Sequence, residues 1–282
     1  MNIMEDSSLK KIQRAELYLL VEFDKVCREL GLTYFLDSGT ALGAIRHGGF
    51  IPWDDDIDVS MPRKDYERFM EIGQSYLPDN VFLQNRRTEK NYIRYAAKLR
   101  LKGTVFPETD GVPYEHNGIF IDIFPFDNIA GNRFWARFNV KTVVEMLHVI
   151  RTYRGHDLGV SPSRVRRGIS MIIKRMPKWF INSLERFCLK IAQRNKDKET
   201  RFMTCYFWRM SQTKQYLFET TKMLPVKDIL FDGNRVKIMN NPDHYLTLMY
   251  GNYMQLPPEE KRGSHRKGDI DFGGIKQCCD IR

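Results

Sequence analysis

Four aspartates stand within five positions in the stretch FIPWDDDIDVSMP, residues 50–62, and this cluster constrains the fold more than any other feature. Successive side chains of an extended strand point to opposite faces, so Asp56 and Asp58 would share one face and Ile57 and Val59 the other. Two carboxylates about 4 Å apart repel by roughly 4 kcal/mol at an effective dielectric constant of about 20. A solvated acidic turn would disperse this charge, whereas a bound divalent cation would neutralise it.

The segments around the aspartates predict a mixed α/β domain with short connections. Residues 6–30 carry an apolar stripe at helical spacing, and Gly31 follows as a stop signal. The stretch LTYFLDSGT predicts a buried strand that runs into a Ser-Gly-Thr turn, and ALGAIRHGG predicts a short helix after it. Further strands are predicted for IDVSM, VFLQ, YIRYAAKLRL, NGIFIDIFPFD and FDGNRVKIM. Two more helices are predicted, one for RKDYERFMEIGQSYL and one that begins after the N-cap Asn241, has Pro242 as its first residue and ends at Gly251.

Two features near the cluster favour the cation over the solvated turn. Gly39 in DSGTALG lets the backbone approach a ligand closely, so that Thr40 and the next helix N-terminus can face a phosphate. Asp122 stands alone in the apolar strand GIFIDIFPFD, and a metal held with Asp56 and Asp58 would supply the partner that it needs. Hard oxygen ligands suit Mg²⁺, so the ordered set predicts a phosphoryl-transfer site with two metal positions.

Other residues near the cluster have less specific interpretations. Asp54 and Asp55 are interpreted as side chains that cap or solvate the turn, and Trp53 as a core residue. Arg46 and His47, just past the phosphate-facing turn, are candidates for neutralising a diphosphate; an equally good interpretation makes them surface residues before the Gly48-Gly49 turn.

The positive charge is concentrated in one segment. Residues 131–225 contain 20 Lys and Arg against 6 Asp and Glu, a net charge of +14, whereas the rest of the chain carries −4. The patterns predict helices for FWARFNVKTVVEMLHVIRTY, RRGISMIIKRM and KWFINSLERFCLKIAQRNK, the last with Phe180, Leu184, Phe187 and Ile191 on one face opposite the cations.

Three interpretations of this basic segment stay open. Its helices could pack their apolar faces on the catalytic domain and leave the charge in solvent. They could contact an anionic membrane surface with Trp135, Trp179 and Phe180 at the interface. They could bind nucleic acid, but the chain has no DNA- or RNA-binding motif, and no nucleic-acid partner is expected.

Composition indicates a cytoplasmic protein. The N-terminus has no secretory signal pattern, and no run of eighteen apolar residues occurs. The five cysteines include no CxxC pair. A zinc site built from His265, Cys278 and Cys279 would lack a fourth ligand, and none is expected. If the basic segment contacts lipid, the protein would lie peripherally at the inner face of the plasma membrane.

The stretch YFLDSGTALGAIRHGGFIPWDDDIDVSMPRKDYERF, residues 34–69, resembles the signature of the LicD family of phosphotransferases. FIDIFPFD and YLTLMYGNYMQLPPEEKR match later parts of the pattern, so the resemblance covers most of residues 30–262. The family is similar to the nucleotidyltransferase-fold superfamily, whose core has a Gly-Ser/Thr turn, an Asp-x-Asp strand and a third carboxylate. Its bacterial members move phosphocholine from CDP-choline onto sugars of teichoic acids, lipopolysaccharide or other glycoconjugates, and the related fukutin-related proteins use CDP-ribitol.

The resemblance implies four segments in a nucleotidyltransferase-like mixed sheet with flanking helices. These are an N-terminal helix packed on the core (1–30), the catalytic core (31–130), a basic helical insertion (131–225) and a C-terminal strand-helix segment (226–282).

The resemblance also implies roles for individual residues. Asp56, Asp58 and Asp122 would be the catalytic and metal-binding carboxylates, with Mg²⁺ or Mn²⁺ as cofactor. The donor would be a CDP-alcohol, CDP-choline first, and the acceptor a glycan or lipid-linked saccharide. Asp122 could hold a second ion or accept the proton of the acceptor hydroxyl. The donor and phosphate contacts would come from Asp37, Ser38, Gly39, Thr40, Arg46 and His47.

Two other functions fit the same residues. A true nucleotidyltransferase would move NMP from an NTP and release pyrophosphate through the same carboxylates. A basic adaptor on an inactive fold is the other alternative, although an inactive site has no need for three carboxylates that are costly to fold.

Overall fold

The structure is a computed structural model that describes residues 3–108, 114–154, 175–207, 217–263 and 270–273. Contacts divide the chain into two compact units. The first comprises Met1–Thr109, Pro113–Pro125 and Thr221–Arg282; the second comprises Asp110–Val112 and Phe126–Thr220. Nearly all of the predicted helix RRGISMIIKRM, together with His265, Cys278 and Cys279, lies outside the described residues.

The first unit is built on a mixed sheet, which confirms the predicted α/β class. Five strands lie in the order β1-β2-β5-β4-β3, and the pairs β1–β2, β5–β4 and β4–β3 are antiparallel. The elements up to the sheet's last strand are α1 (Ile3–Leu30), β1 (Phe35–Leu36), α2 (Ser38–His47), β2 (Asp58–Pro62), α3 (Arg63–Ile72), a 3₁₀ turn (Gly73–Tyr76), β3 (Val81–Gln84), β4 (Ala97–Leu101) and β5 (Phe120–Ile129).

Helix α1 packs its apolar stripe into the core of this unit, as predicted. Leu9, Ile12, Leu19, Leu20, Phe23, Val26 and Cys27 are all buried. Gln13, Glu16 and Asp24 fall on the same stripe and are also buried, so three polar side chains of the described part of this helix enter the interior. Gly31 follows at φ 65°, in the left-handed region that glycine adopts most readily.

Two predicted strands are shorter than expected. In LTYFLDSGT only β1 is extended, because the Asp37 side chain caps the N–H of Ser38 and starts α2 there; Ser38, Gly39 and Thr40 therefore form the first turn of a helix. In YIRYAAKLRL only β4 is extended, because the preceding carbonyls of Ile93 and Arg94 bond the Arg86 side chain instead of a strand.

The C-terminal part of the first unit contains a hairpin where the sequence predicted one strand. The hairpin strands β8 (Lys227–Phe231) and β9 (Asn234–Ile238) flank an Asp-Gly turn, a favoured hairpin sequence. Helix α7 (Pro242–Tyr250) then begins after the predicted N-cap Asn241, whose side chain accepts a hydrogen bond from His244 N, and ends at Gly251. The remaining elements here are α6 (Thr220–Met223), on the boundary of the units, and a 3₁₀ turn (Glu259–Lys261).

The second unit contains two of the predicted basic helices, α4 (Arg133–Tyr153) and α5 (Lys178–Gln193). They contact each other where Arg154 bonds Glu185 and Asn182. The end of β5 pairs here with β6 (Phe202–Thr204), which pairs with β7 (Phe218–Glu219). In the part of the chain that the structure describes, no helix is both long and apolar enough to cross a membrane.

The predicted apolar face of α5 is not the face that is buried. Phe180 and Phe187 are exposed, and the helix instead buries Ile181, Glu185, Cys188 and Ala192. Glu185 can be buried on this face because it forms a 2.6 Å ion pair with Arg154, the residue that follows α4.

Candidate active site

The aspartate loop, defined as residues 49–57, lies directly against α2. A Cβ atom at Gly43 would stand 2.4 Å from the carbonyl oxygen of Gly49, and one at Gly39 would stand 3.0 Å from an Asp54 oxygen. These glycines are four residues apart and therefore lie on one face of the helix. The absence of side chains on this face allows the acidic loop to approach the helix N-terminus.

Asp37 joins three segments at the start of α2. Its buried carboxylate caps Ser38 N at 2.7 Å and also accepts hydrogen bonds from the hydroxyls of Ser60 and Tyr245. Burial raises the pKa of Asp37 to about 6, against the opposing effect of these three donors. The arrangement holds Ser38 at φ 45°, a left-handed conformation that is strained for a residue with a side chain.

Strand β2 is fixed to the same helix through its first residue. Asp58 N donates to Thr40 Oγ1 at 2.8 Å, and Asp58 O accepts from Asp37 N at 2.9 Å. The predicted phosphate-facing residues Gly39 and Thr40 therefore lie beside the predicted metal ligands. In Thr40 the hydroxyl oxygen is bonded to the strand, while its proton can still be donated.

The carboxylates of the loop crowd one another. Asp54 and Asp56 hydrogen-bond through their side chains, and burial followed by the charges of Asp56 and Asp55 raises the pKa of Asp54 to about 8. Burial, then Asp56, then Asp122 raise the pKa of Asp58 well above its ordinary value. Asp55 is 2% exposed, so of the two predicted roles, capping or solvating the turn, the solvated one is wrong.

Glu16 adds a further carboxylate from outside the loop. Gln13, one turn earlier on α1, donates to the Asp54 carbonyl at 2.8 Å and so fixes this face of α1 over the loop. Glu16 is 2% exposed, and among the described residues its Oε2 has no hydrogen-bond partner. Burial first, and then Asp56 and Asp55, raise the pKa of Glu16 well above its ordinary value. An acid in such a place needs a proton or a cation.

Asp122 lies next to the aspartates but already has a protein partner. Its N–H donates to the carbonyl of Ile57 at 2.9 Å, which places β5 beside the end of the loop. Its carboxylate pairs with Lys98 Nζ at 2.9 Å, and Lys98 also pairs with Glu108 at 3.0 Å. The expectation that Asp122 is a lone acid that needs a metal is therefore wrong, since an opposite strand supplies a buried cation.

Arg46 and His47 lie at the far end of α2. They are seven or more residues from Gly39, which corresponds to about 10 Å or more along the helix axis. The His47 ring is 6.2 Å from that of Trp53, the residue before Asp54, and the Arg262 guanidinium stands 5.1 Å from the same indole. Trp53 is therefore half-buried between polar side chains, and its interpretation as a core residue is wrong.

Arg46 and Arg262 form a cationic border beside this indole. Burial, and then the charge of Arg262, lower the pKa of Arg46. Arg46 has a carbonyl acceptor, Tyr253 O at 2.8 Å, but within the described ranges it has no carboxylate partner. Arg262 has one carboxylate neighbour, the exposed Glu259 at 3.6 Å, so the two guanidinium groups together keep a positive charge that suits an anion.

A divalent cation fits the chemistry of these residues. Among the described residues, no three carboxylate, imidazole or thiol groups converge as in a formed metal site. All the donors around the loop are nonetheless hard oxygens, which suit Mg²⁺ and Mn²⁺. Two features favour added positive charge. Asp54 and Asp56 can hydrogen-bond only if one carries a proton, and Glu16 Oε2 has no hydrogen-bond partner in the described part of the chain.

Sequence reasoning missed four of the residues that build the site, namely Glu16, Lys98, Tyr245 and Arg262. For Glu16 a signal existed, because a carboxylate interrupts the apolar stripe of α1. For Lys98 the signal was weaker, a cation at an alternate position of a strand candidate. Tyr245 and Arg262 are far from the aspartates in sequence, and no local pattern places them there.

Comparison with known proteins identifies a family domain in part of the chain. Residues 31–147 match the family model described as LicD/FKTN/FKRP, nucleotidyltransferase domain. The chain carries a LicD-family domain. The match contains every residue from Asp37 to Asp58 discussed above, as well as Asp122, whereas Glu16, Tyr245 and Arg262 lie outside it. The resemblance seen in residues 34–69 is confirmed.

Relatives with named activities are phosphotransferases. The lipopolysaccharide cholinephosphotransferase LicD of Haemophilus influenzae is 28% identical over 276 residues, which cover 93% of this chain and 97% of that protein. The ribitol 5-phosphate transferase FKRP of Mus musculus is 30% identical over 107 residues, 36% of this chain and 18% of that protein. The homologues thus support phospho-alcohol transfer as the general activity.

Proposed function

We propose that this LicD-family protein transfers phosphocholine from CDP-choline to a hydroxyl of a cell-surface glycan or glycolipid precursor and releases CMP. The observation that carries the proposal is the similarity to a cholinephosphotransferase over 97% of the length of that protein. Ribitol phosphate is the second donor group to test, since the shorter match is to a ribitol 5-phosphate transferase.

Asp56 and Asp58 would hold Mg²⁺ or Mn²⁺, with Asp54 and Glu16 beside them. The bound cation would neutralise the donor diphosphate and lower the pKa of the attacking hydroxyl. The first turn of α2 would present the backbone N–H groups of Gly39 and Thr40 and the positive end of the helix dipole to a donor phosphate, since the Ser38 N–H is already bonded to Asp37. Asp37 would act by holding that turn in place through its bonds to Ser60 and Tyr245.

The transfer would be an in-line displacement at the phosphorus that bears the choline group. The acceptor oxygen forms the new P–O bond, the bond from that phosphorus to the CMP oxygen breaks, and the acceptor proton passes to a carboxylate. Asp122, oriented by Lys98, is the carboxylate we assign to this proton, since it faces Asp58 from the neighbouring strand. Arg46 and Arg262 would stabilise the negative charge that develops on CMP.

Phosphorus NMR of the purified protein tests this proposal. CDP-choline, CDP-ribitol, CDP-glycerol and the four NTPs are offered separately with Mg²⁺, and products are followed over hours. Asp56→Asn is compared with Asp79→Asn, which changes an exposed aspartate elsewhere in the same unit. We expect slow release of CMP and phosphocholine from CDP-choline, retained in Asp79→Asn and lost in Asp56→Asn.

Other outcomes point elsewhere. Cleavage of CDP-ribitol alone would keep phospho-alcohol transfer and change the donor. Pyrophosphate from an NTP would establish nucleotidyl transfer instead. Absence of both cleavage and Mn²⁺ binding would leave the basic adaptor as the better account.

A further inference from the structure

The first two turns of α4 expose an aromatic cluster, defined as Phe134, Trp135 and Phe138. Their side chains are 70%, 60% and 58% exposed. The rings contact one another edge to face, with centroids 5.3 Å apart for Phe134 and Trp135 and 6.0 Å apart for Trp135 and Phe138. Contiguous exposed aromatic surface of this kind is unfavourable in water and marks an interaction site.

Cations flank this cluster on the same helix face. Arg137 and Lys141 follow Phe134 by three and seven residues, so they lie along one stripe with Phe134 and Phe138, and together they line a shallow surface depression. Arg133 also lines it and pairs with Glu219 at 3.0 Å. Within the described ranges neither Arg137 nor Lys141 has a carboxylate partner, so their charge is directed to solvent.

The second helix of this unit has the same character. On α5, Trp179 and Phe187 are 69% and 58% exposed. Arg186 and Lys190 lie among the exposed residues of the same helix. Trp179 and Phe187 thus add further exposed aromatic surface to a segment with a net charge of +14.

We propose that the start of α4, residues 133–141, binds an anionic membrane surface, with the aromatic cluster in the headgroup region and Arg137 and Lys141 on lipid phosphates. Aromatic rings prefer the water–lipid boundary, and cations beside them gain from the negative surface potential. A second copy of the chain is disfavoured as the occupant, because it would bring two strongly basic segments together. This proposal concerns membrane binding and not the group that is transferred, so it holds whichever donor the protein uses.

Vesicle co-sedimentation tests the charge part of the proposal. The full chain is mixed with phosphatidylcholine vesicles that contain or lack phosphatidylglycerol. We expect binding only to the anionic vesicles, and about 25-fold weaker binding for Arg137→Gln/Lys141→Gln, from about 5-fold per cation removed. Leu230→Ser, which changes an exposed apolar residue of the first unit, should bind like the parent protein. Equal binding of the double variant and the parent would overturn the proposal.

Fluorescence quenching tests the aromatic part with a variant that keeps the size of the ring. Brominated phosphatidylcholine in the anionic vesicles should quench tryptophan emission, and Trp135→Phe should remove the larger part of the quenching. Undiminished quenching in Trp135→Phe would contradict the proposal. The proposal would also be contradicted if the chain bound RNA but not vesicles. It would equally be contradicted if the chain formed a concentration-dependent dimer that Trp135→Phe abolishes. Neither experiment uses a donor, so a failure of the membrane proposal can be distinguished from a failure of the proposed transfer reaction.

Discussion

Lys98 and Asp122 lie directly opposite each other on β4 and β5, and Lys98 Nζ is 2.9 Å from one Asp122 oxygen and 3.1 Å from the other. Lys98 is 1% exposed, lies over the Phe120 ring and also pairs with Glu108. Burial lowers the pKa of Lys98, and the two carboxylates oppose that effect. One buried cation thus connects the candidate catalytic carboxylate with an ion cluster deeper in the unit.

Replacement of Lys98 by methionine should destabilise the protein by about 3–5 kcal/mol, because removal of one partner leaves buried carboxylates without their counter-charge. Urea denaturation followed by circular dichroism measures this loss. Lys102→Met, at an exposed position in the following turn, should change the free energy of unfolding by less than about 0.5 kcal/mol. Similar stability of the two variants would show that Lys98 does not hold the cluster together.

Acid should weaken the same cluster through Glu108. Burial alone would raise the pKa of Glu108, but Lys98, Arg94 and Arg100 lower it to about 2 from the ordinary 4.5. A lowered folded-state pKa stabilises the protein above about pH 4.5, and this contribution, about 3 kcal/mol, is lost as pH falls toward 2. Urea unfolding from pH 6 to pH 3 should therefore show a smaller decline in Glu108→Gln than in the parent protein. Parallel declines in the two proteins would refute this assignment.

Glu16→Gln should have opposite effects in the absence and presence of a cation. Without metal, loss of a buried acid that faces Asp55 and Asp56 should stabilise the protein by about 1 kcal/mol. With Mn²⁺, affinity measured by calorimetry should fall by about 10-fold or more, because a neighbouring carboxylate has been lost. Glu29→Gln, exposed near the end of the same helix, serves as control. Unchanged affinity in Glu16→Gln would remove Glu16 from the site.

Gly43→Ala should displace the aspartate loop. The new Cβ would meet Gly49 O at 2.4 Å, and because this oxygen belongs to the backbone and not to a flexible side chain, the loop must move. Overpacking of this kind costs about 1–3 kcal/mol. We expect a lower melting temperature and weaker Mn²⁺ binding, whereas Gly263→Ala, where a Cβ meets nothing within 4 Å, should leave both unchanged. If Gly43→Ala lowers the melting temperature but leaves the Mn²⁺ affinity unchanged, the position of the aspartate loop does not control cation binding.

Local pattern was enough to predict much of the fold. Periodicity placed α1, and cap residues bounded α7 at Asn241 and Gly251, because these signals lie within a few residues of what they determine. The start of α2 was placed too late because the capping side chain, Asp37, was assigned to a strand. The buried face of α5 was mistaken because it includes the charged Glu185, whose partner Arg154 lies just after another helix and is 31 positions away in sequence.

The site was predictable only in part, for the same physical reason. Asp56 and Asp58 are close in sequence, and strand alternation alone puts them together. Tyr245 reaches Asp37 across 208 positions, and Lys98 reaches Asp122 across a strand pair whose register no local pattern gives. Gln13 and Glu16 became meaningful only when α1 was seen to cross the aspartate loop.

The central claim is that the aspartate loop holds a cation against the diphosphate of the donor. Paramagnetic broadening tests it directly: ³¹P spectra of CDP-choline are recorded with Mn²⁺ and either the parent protein, Asp58→Asn or Asp79→Asn, at equal free Mn²⁺. The account predicts strong broadening of both phosphorus signals with the parent and Asp79→Asn, and broadening with Asp58→Asn no greater than that caused by free Mn²⁺. Equal broadening by Asp58→Asn and the parent protein would contradict it.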